Sequence, residues 1–365
     1  MSVMKINSNI RDYEAHFVAT TDFLREFERF PQRCYVIDSN VWRIHAEGCL
    51  RDISEEGDNV IVLPVNEERK NLTTVQELYD RLTERTAKRN LTMISIGGGI
   101  LQDITGFVAS TLYRGINWVF VPTTLLAQAD SCIGSKTSLN YKGFKNLIGT
   151  FYPPSEVFIY APFLATQADV DYFSGLGEVV KLHVMGGAHR AAEIAKLLPA
   201  ILRREPDALL SGVRNSLLIK QSYIAGDEFD TGRRNLLNYG HCFGHALEAT
   251  SDFEIPHGQA VVIGMWLANV VARNRGLLSP ELHAQIAGEL LLPSLVINPK
   301  KEHLDRDMLV AAMKKDKKRI GEGLVLIMLK DNYEMSKVSD LTEAEVSAAL
   351  AEAHESLRAG RAAVG

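Results

Sequence analysis

The stretch Thr92-Met-Ile-Ser-Ile-Gly-Gly-Gly-Ile-Leu-Gln-Asp103 decides the fold class of this 365-residue chain. An apolar run typical of a buried strand leads directly into Gly97-Gly98-Gly99, and a helical pattern begins at these glycines. Glycines at such a junction let the backbone approach a pyrophosphate, whose negative charge the start of a helix favours. Because the G-x-G-x-x-G fingerprint is absent, the junction predicts either a nucleotide site or a plain tight turn.

Short apolar runs on both sides of this stretch predict further strands. Cys34–Asp38 and Val60–Val65 precede it, Trp118–Val121 follows it, and alternation over residues 13–17 indicates another strand. Asp38 can cap a helix after its strand, and Thr73 can cap a helix over 73–88. Strands that alternate with helices predict a parallel sheet with ligands at the carboxyl ends of its strands.

The second half of the chain has a different pattern. Beyond about residue 165 long helical patterns replace the strands, so we place a domain boundary near Leu164. This predicts an α/β domain over 1–164 and a mostly α-helical domain over 165–365. The predicted helices are 174–186, 188–204, 206–226, 239–250, 258–275, 280–291 and 341–358, with a strand or hairpin at 323–329.

The composition narrows the possible functions. A net charge of -5 gives no support to a nucleic-acid or anionic-membrane surface. The four cysteines show no C-x-x-C spacing, which argues against a disulfide framework and a thiolate zinc site. No signal-peptide pattern is visible, and the apolar run Ala260–Ala272 is too short to span a bilayer. We therefore expect a cytoplasmic protein that acts on small molecules.

Histidines concentrate in the stretch from Arg234 to His257. His241 and His245 are four residues apart, so a helix would present both on one face, and His257 follows shortly after. These rings are either packing residues or metal ligands. A catalytic metal site usually takes a third protein ligand, often a carboxylate. Cys242 is either a further ligand or a small buried side chain.

The carboxylate of Glu178 is the candidate third ligand. Gly175-Leu-Gly-Glu178-Val-Val-Lys181 places an acid and a base one helical turn apart among apolar residues. The apolar flanks indicate burial, and buried charges need partners or a metal. Glu178, His241 and His257 would together make a three-ligand zinc site with an open position.

A loop rich in lysine is the other candidate ligand segment. From Asp130 to Asn146 small and polar residues surround Lys136, Lys142 and Lys145. This mixture is typical of a phosphate cradle, and it is also typical of a solvated surface loop. Thr123 and Thr124, directly after a buried strand, favour the ligand loop. The charge run at 314–318 reads by default as a solvated face.

Together these motifs resemble the sugar phosphate cyclase family, and within it the 3-dehydroquinate synthases most closely. The resemblance extends from about Cys34 to about Met328. The matching stretches are Glu67-x-x-Lys70, GGGILQD at 97–103, YRG at 113–115, VPTTLLAQADSCIGSK at 121–136, KN at 145–146, GLGEVVK at 175–181, RNLLNYGHCFGH at 234–245, PHGQAV at 256–261 and KKDKK at 314–318.

The resemblance implies a Rossmann-like NAD-binding domain, a helical metal-binding domain, an active site in the cleft between them and a homodimer. By position it implies Zn²⁺ or Co²⁺ ligands, NAD contacts, and residues around the substrate's phosphate and carboxylate. The implied metal ligands are Glu178, His241 and His257. The implied NAD contacts are Asp38, Asn40, Glu67, Lys70, Gly97, Gly98, Gly99, Asp103, Thr123, Thr124, Lys136 and Lys145. The implied catalytic and substrate contacts are Asp130, Lys136, Asn146, Lys181, Asn238, His245, Lys317, Arg114 from the other subunit, and the carboxylate-binding Lys220 and Arg234.

The chemistry that the family implies uses NAD as a recycled oxidant. A substrate hydroxyl is oxidised, phosphate is eliminated, the hydride returns, and the opened ring closes to a carbocycle, so the net reaction is a phosphate lyase. Relatives that use sedoheptulose 7-phosphate tend to lose the second histidine of GHxxGH, and those that use glucose 6-phosphate tend to carry an acid at position 238. Retention of Lys220, Arg234, Asn238 and His245 favours 3-deoxy-arabino-heptulosonate 7-phosphate.

Some residues depart from the usual synthase pattern and leave alternatives open. Ser135 and Ser138 stand where small residues, often glycine, are common, and Gln259 stands where an acid is common. A cyclase of secondary metabolism that makes a cyclitol from sedoheptulose 7-phosphate or an amino analogue is one alternative to a role in aromatic amino acid synthesis. A polyol dehydrogenase of the glycerol-dehydrogenase type, which would release NADH, is another. A nucleotide-binding regulator without activity is the third.

Overall fold

The structure, a computed structural model, describes residues 2–53, 59–84, 88–315 and 323–362, with side chains as far as 353. The chain divides into two compact units. The first comprises Met1–Gln167 and Ile224–Phe229, and the second comprises Ala168–Tyr223 and Asp230–Gly365. The first division falls just after the predicted boundary at Leu164. A single boundary does not describe this division completely, because the short segment 224–229 belongs to the first unit.

A seven-stranded sheet forms the framework of the first unit, in the order β1-β2-β9-β6-β5-β3-β4. All neighbouring pairs are parallel except β1 and β2. Two further strands, β7 and β8, form a separate antiparallel hairpin. The strands are β1 (Ser2–Ile6), β2 (Tyr13–Val18), β3 (Arg33–Asp38), β4 (Val60–Leu63), β5 (Thr92–Gly97), β6 (Asn117–Pro122), β7 (Lys136–Tyr141), β8 (Phe144–Phe151) and β9 (Glu156–Tyr160).

The order of the central strands creates a crevice between β3 and β5. The chain runs from β3 to β4 at one edge and then crosses to β5 on the other side of β3. In open α/β sheets a ligand binds at such a switch point, outside the carboxyl ends of the strands. Among the described residues of this unit, the helices that accompany the sheet are α1 (Phe23–Glu26), α2 (Ser39–His45), α3 (Leu72–Glu84) and α4 (Gly99–Thr111).

Two local predictions for the first unit were wrong. The segment 130–146 is not simply a loop, because its second half belongs to the β7–β8 hairpin, whose polar residues bond to other segments of the unit. Thr73 is not the cap of α3, because the helix already includes Leu72 and the side chain of Asn71 accepts a hydrogen bond from the amide of Thr74. The predicted cap at Asp38 is present, with the amide of Asn40 donating to its carboxylate at 2.8 Å.

The second unit is built from helices and one small hairpin. Most of its helices lie close to the predicted ranges, although the helix predicted at 174–186 already begins at Asp169, and 280–291 ends as a regular helix at Ile286 and continues as a π-helical turn. The helix Arg306–Lys315 and the short helix Leu292–Ser294 were not predicted. The helices are α5 (Asp169–Met185), α6 (Ala188–Leu202), α7 (Pro206–Ile224), α8 (His241–Thr250), α9 (His257–Asn274), α10 (Pro280–Ile286), α11 (Leu292–Ser294), α12 (Arg306–Lys315) and α13 (Glu343–Ala362). The hairpin strands are β10 (Leu324–Leu329) and β11 (Met335–Leu341).

Helix α9 is the central helix of the second unit, since every residue from Gly258 to Ala272 is buried. It crosses α5 and α8 at very short range. A Cβ on Gly258 would lie 1.7 Å from the carbonyl oxygen of Ser174 on α5, and one on Gly264 would lie 2.0 Å from that of Gly240 at the start of α8. These crossings therefore require glycine, and they bring the backbones of three helices together.

Candidate active site

The switch-point crevice of the first unit contains the predicted nucleotide residues. Asp38 ends β3, and Gly97 ends β5 so close to it that a Cβ on Gly97 would lie 3.2 Å from the Cβ of Asp38. Gly98 precedes α4, and its missing side chain faces Thr124, whose Cγ2 would be 3.0 Å from a Cβ. The free amides at the start of α4 and the small residues around them leave room for a phosphate.

A buried ion pair lies beside this crevice. The Nζ of Lys70 is 2.7 Å from Oδ2 of Asp103, and the amide of Ser138 donates to Oδ1 of Asp103 at 2.9 Å. Burial raises the pKa of Asp103, although Lys70 and Ser138 oppose the shift. Because Ser138 belongs to β7, this network fixes the hairpin against α4.

A second network connects the same hairpin to the segment that carries Glu67. Asn140 donates its side-chain amide to Oε1 of Glu67 at 2.8 Å, and its own oxygen accepts from the amide of Asn146 at 2.9 Å. Lys136 and Lys145 are exposed on β7 and β8. The structure thus joins Glu67, Lys70, Asp103 and Asn146 through Ser138 and Asn140, two residues absent from the predicted set.

Other predicted residues of the first unit lie in separate places. Asn40 is exposed at the first turn of α2, and Thr123 is buried at the end of β6, where its amide donates to the carbonyl of Gly97 at 2.9 Å. Asp130 is half-buried in a π-helical turn over Ala127–Ser131. Arg114 is exposed and follows Tyr113, and both have positive φ angles, 64° and 53°. Such a pair stores backbone strain, which is frequent at functional positions.

The short segment that returns to the first unit is anchored by Glu228. Its carboxylate accepts hydrogen bonds from the hydroxyls of Ser135 and Ser8 at 2.6 and 2.7 Å, and from the amide of Asn9 at 2.6 Å. Burial raises the pKa of Glu228, but these hydrogen bonds outweigh it and lower the pKa. Ser135, a departure from the family pattern, thus has a structural role beside Lys136.

The second unit brings Glu178, His241 and His257 together. Oε1 of Glu178 lies 3.4 Å from Nε2 of His241 and 3.2 Å from Nε2 of His257, and the three ligand atoms lie within 4.8 Å of one another. Glu178 comes from α5, His241 from the first turn of α8 and His257 from the first turn of α9. Two imidazole nitrogens and a carboxylate oxygen are a donor set that suits Zn²⁺.

The remaining polar atoms of this group are also engaged. Nδ1 of His241 is 3.1 Å from the carbonyl oxygen of Tyr239, and Nδ1 of His257 is 3.0 Å from Oε2 of Glu248. Lys181, buried on α5, contacts Oε2 of Glu178. The Nε2 atoms of both histidines therefore remain turned towards Oε1 of Glu178.

The electrostatics of the group fit a cation. Burial raises the pKa of Glu178, but Lys181 and His257 outweigh it and hold the pKa well below its usual value. Burial lowers the pKa of His257, but hydrogen bonds that its ring donates to Glu178 and Glu248 outweigh it and raise the pKa to about 10. Burial and the nearby positive charge of Lys181 lower the pKa of His241. A divalent cation here would meet an ionised carboxylate and would replace the proton on His257 as its counter-charge.

A pocket with about 590 Å³ of empty space, part of it open solvent, adjoins the group. Asn238 and His245, two predicted substrate contacts, line it together with His241. Cys242 also lines it but belongs to neither ligand group among the described residues. The other lining residues are Asn235, Met313, Leu324, Val325, Ile327 and Lys337.

The two predicted carboxylate contacts are buried cations. Lys220 on α7 is 7% exposed, and Arg234, in the 3₁₀ turn Arg233–Asn238, is 4% exposed. Buried cations are expected to have acidic or polar partners. Lys317 lies outside the described residues.

Gln259, another departure from the family pattern, is a structural residue of the second unit. It is fully buried, and its amide nitrogen donates to the carbonyls of Phe173 and Ser294, both at 3.0 Å. Its oxygen accepts from the amide of Val296 at 2.8 Å. An acid could not make the two donations, so glutamine at this position reflects helix packing.

Sequence reasoning missed Glu248 and Lys337. Glu248 is buried on α8 three residues after His245, on the same face, and that spacing within an apolar helix was an available signal. Lys337 donates to Oδ1 of Asn235 at 3.2 Å and lines the pocket from β11. No sequence pattern marks Lys337, since it comes from a strand distant in the chain.

Comparisons with known proteins agree with this fold. Family models for the 3-dehydroquinate synthase N-terminal and C-terminal regions match residues 60–174 and 175–319. The 3-dehydroquinate synthase of Clostridium tetani is 38% identical over 286 residues, 78% of this chain and 76% of the relative. That of Dictyoglomus turgidum is 34% identical over 335 residues, 92% and 88% of the two chains.

A solved structure gives the same picture. The 2-epi-5-epi-valiolone synthase of Streptomyces hygroscopicus subsp. jinggangensis 5008, solved with NAD⁺ and Zn²⁺ bound, superposes with a TM-score of 0.83. It is 27% identical, and the match covers 97% of this chain and 99% of the other. The fold and the site thus define an enzyme of the sugar phosphate cyclase class.

Within that class, the family models and the curated relatives reported above all match the same family. The chain belongs to the 3-dehydroquinate synthase family, whose members are carbon–oxygen lyases. The predicted fold class, a Rossmann-like domain with a helical domain, is confirmed. In the described part of the chain, no helix has the length and apolar character that a membrane span needs.

Proposed function

We propose that this enzyme converts 3-deoxy-arabino-heptulosonate 7-phosphate to 3-dehydroquinate with release of phosphate. The observation that carries the proposal is the pocket beside Glu178, His241 and His257, which Asn238 and His245 line. These two positions are the ones at which cyclases for other sugar phosphates tend to differ. The curated relatives reported above, both 3-dehydroquinate synthases, support the same substrate.

NAD⁺ and a divalent cation, Zn²⁺ or Co²⁺, are the proposed cofactors. The valiolone synthase structure with NAD⁺ and Zn²⁺ supports this choice. When bound, NAD⁺ supplies reversible hydride transfer and the cation acidifies a coordinated hydroxyl. Glu178, His241 and His257 would hold the cation. The glycines at 97–99 and the start of α4 would hold the pyrophosphate, and Asp38, Asn40, Glu67, Lys70, Asp103, Thr123, Thr124 and Lys145 would surround the rest of NAD⁺.

The remaining proposed roles belong to charged and amide side chains. Lys136, Asn146, Asn238, His245 and Lys317 would neutralise and orient the phosphate, and Lys220 and Arg234 would bind the carboxylate. Asp130 and Lys181 complete the proposed catalytic set. Lys181, held against Glu178, would keep that carboxylate ionised. Together these groups position a flexible substrate and stabilise the charge that develops as phosphate leaves.

The first test measures phosphate release with NAD⁺ and Zn²⁺. The heptulosonate phosphate, sedoheptulose 7-phosphate and glucose 6-phosphate are offered in parallel. Turnover of the heptulosonate phosphate supports the proposal. Turnover of sedoheptulose 7-phosphate alone would reassign the enzyme as a valiolone-type cyclase, the second candidate that the Streptomyces structure favours. Stoichiometric NADH at about 340 nm without phosphate release would contradict both.

A matched pair of variants tests the carboxylate assignment. Arg234→Ala should weaken binding of the heptulosonate phosphate by roughly 2–5 kcal/mol, because the substrate carboxylate loses a buried partner. This corresponds to a loss of about 30-fold or more in kcat/KM. Arg233→Ala is the control, since Arg233 is exposed and lies over the ring of Tyr223. Equal activity of the two variants would contradict the assignment.

Removal of the metal tests the ligand group. A strong chelator should abolish phosphate release, and Zn²⁺ or Co²⁺ should restore it. Elemental analysis must accompany the assay. Full activity of protein that holds no metal would refute the roles of Glu178, His241 and His257.

We further propose a homodimer in which Arg114 serves the site of the partner. The strained backbone at Tyr113 and Arg114 supports a functional role for this turn. If Arg114→Ala and His257→Ala are each inactive, a mixed dimer should hold one intact site and recover roughly a quarter of the activity after random exchange. Failure of exchanged mixtures to recover any activity would place Arg114 in its own subunit's site.

A further inference from the structure

Glu248 is a buried carboxylate beside the proposed metal ligands, and the site described above gives it no role. It lies on α8, its side chain is 8% exposed, and its Oε2 lies 3.0 Å from Nδ1 of His257. A buried carboxylate is retained only with good partners. The partner here is one of the three residues that would hold the cation.

The two histidines of the group are held in the same way by different acceptors. Nδ1 of His241 faces the backbone carbonyl of Tyr239 at 3.1 Å, whereas Nδ1 of His257 faces the side chain of Glu248 at 3.0 Å. An imidazole that donates from Nδ1 presents the lone pair of Nε2. In both cases Nε2 is the atom that faces Oε1 of Glu178.

His257 needs such an acceptor more than His241 does. Its side chain is 34% exposed, against 13% for His241, so packing restrains its ring less. It is also the first residue of α9, where the chain has just left the extended residue Pro256. A hydrogen bond to a buried carboxylate on α8 fixes both the tautomer and the ring plane.

We propose that Glu248 is a positioning residue that holds His257 with Nε2 turned towards Glu178 and His241, in the orientation that binds a divalent cation. The inference rests on the proposed function of those three residues as metal ligands. Carboxylates that orient metal-bound histidines also make the imidazole more basic and strengthen the site. A second ion is the competing assignment, since His245, Glu248 and His257 also offer ligand atoms within 4.8 Å of one another.

The test measures metal binding directly. Affinity for Zn²⁺ and Co²⁺ is obtained by competition with a chromogenic chelator for the wild type, Glu248→Gln and Glu248→Ala. His257→Ala serves as the reference for loss of a ligand. Glu254→Gln is the matched control, because Glu254 lies nearby on the connection between α8 and α9, is 56% exposed and pairs with Lys300. Circular dichroism and thermal unfolding establish that each variant is folded.

We expect Glu248→Ala to bind the metal about 10- to 100-fold more weakly and to change the visible spectrum of bound Co²⁺. Glu248→Gln should lose less, because its amide oxygen still accepts from Nδ1, and this isosteric variant carries the test if the alanine variant does not fold. Glu254→Gln should match the wild type in affinity and spectrum.

Three results would overturn these statements in distinguishable ways. Wild-type affinity and spectrum in both Glu248 variants, with a loss in His257→Ala, would refute the positioning role and leave the metal site intact. If the wild-type chain binds two ions and Glu248→Gln binds only one, Glu248 is a ligand of the second ion. Unchanged metal binding in His257→Ala would refute the proposed metal site itself.

Discussion

Substitution of Gly258 by alanine is the sharpest test of how the second unit is packed. Gly258 follows His257 on α9, where its backbone is helical and therefore acceptable to alanine. The added Cβ would lie 1.7 Å from the carbonyl oxygen of Ser174 and 2.6 Å from its carbonyl carbon, whereas ordinary contact begins at 3.4 Å. Both atoms are backbone, so no side chain can rotate away. Helices α5 and α9 must separate by roughly 1.5 Å or distort.

The expected cost follows from that separation. Overpacking of a buried helix contact by a methyl group costs about 1–3 kcal/mol, and a clash with backbone lies at or beyond the upper end of that range. For a unit of this size a loss of about 3 kcal/mol lowers the Tm by roughly 6–12 °C. Because His257 and Glu178 adjoin the contact, metal affinity should fall by about 100-fold, since ligand atoms tolerate shifts of only about 0.2 Å.

The assay compares Gly258→Ala with Gly288→Ala by scanning calorimetry and by metal titration. A Cβ on Gly288 would meet nothing within 4 Å, so this variant should be neutral or up to about 1 kcal/mol more stable. Equal unfolding temperatures of the two variants would refute the predicted clash at the crossing of α5 and α9. If Gly258→Ala unfolds early but binds the metal normally, the clash does not displace the proposed metal ligands.

Three further variants test other contacts. Gln259→Glu should destabilise the protein by about 3 kcal/mol in urea unfolding, because a carboxylate would face two carbonyls that now accept hydrogen bonds; unchanged stability would contradict that role. Hydrogen bonds from Arg275 lower the pKa of Glu345 from its ordinary value of 4.5 to about 2. A carboxyl group whose pKa is lower in the folded state stabilises the fold fully above its unfolded-state pKa, and this stabilisation is lost as the pH falls through its folded-state pKa. Glu345→Gln should therefore lower the free energy of unfolding by about 1–2 kcal/mol at neutral pH and by less at about pH 3. A loss of stability that does not depend on pH would exclude the ion pair as its cause. Gly98→Val should weaken NAD⁺ binding at least about 10-fold, by calorimetric titration, because the added side chain would crowd Thr124 at the start of α4, where the pyrophosphate is proposed to bind; wild-type affinity would move the pyrophosphate elsewhere.

The sheet of the first unit was predictable because its buried strands are continuous apolar runs. Runs such as Thr92–Gly97 end at turn residues, and both faces of a parallel sheet are covered. The strand Glu156–Tyr160 was not predicted, although it lies between β2 and β6. Its position depends on pairing with two strands that are distant in the chain, which a local pattern does not report.

The β7–β8 hairpin shows where pattern reading fails. Polar residues of β7 bond to distant segments: Ser138 to Asp103 and Asn140 to Glu67. Polar composition therefore predicted a loop, whereas long-range hydrogen bonds made strands. Glu248 was missed for the same reason, because its proposed role depends on a contact with the ring of His257 on the next helix. The roles of the site residues stay predictions, whereas their grouping in the second unit is visible in the structure.

The pairing of each proposed metal ligand with a glycine has a geometric cause. Three short side chains on three helices can meet only if the helix backbones approach more closely than ordinary side chains allow. Here Gly177 precedes Glu178, Gly240 precedes His241 and Gly258 follows His257. A Cβ on Gly177 would lie 2.2 Å from the carbonyl oxygen of Gly258, and one on Gly240 would lie 2.7 Å from that of Val261. The glycines of these motifs thus allow close helix packing. Because the helices pack so closely, the ligands beside the glycines come within reach of one ion.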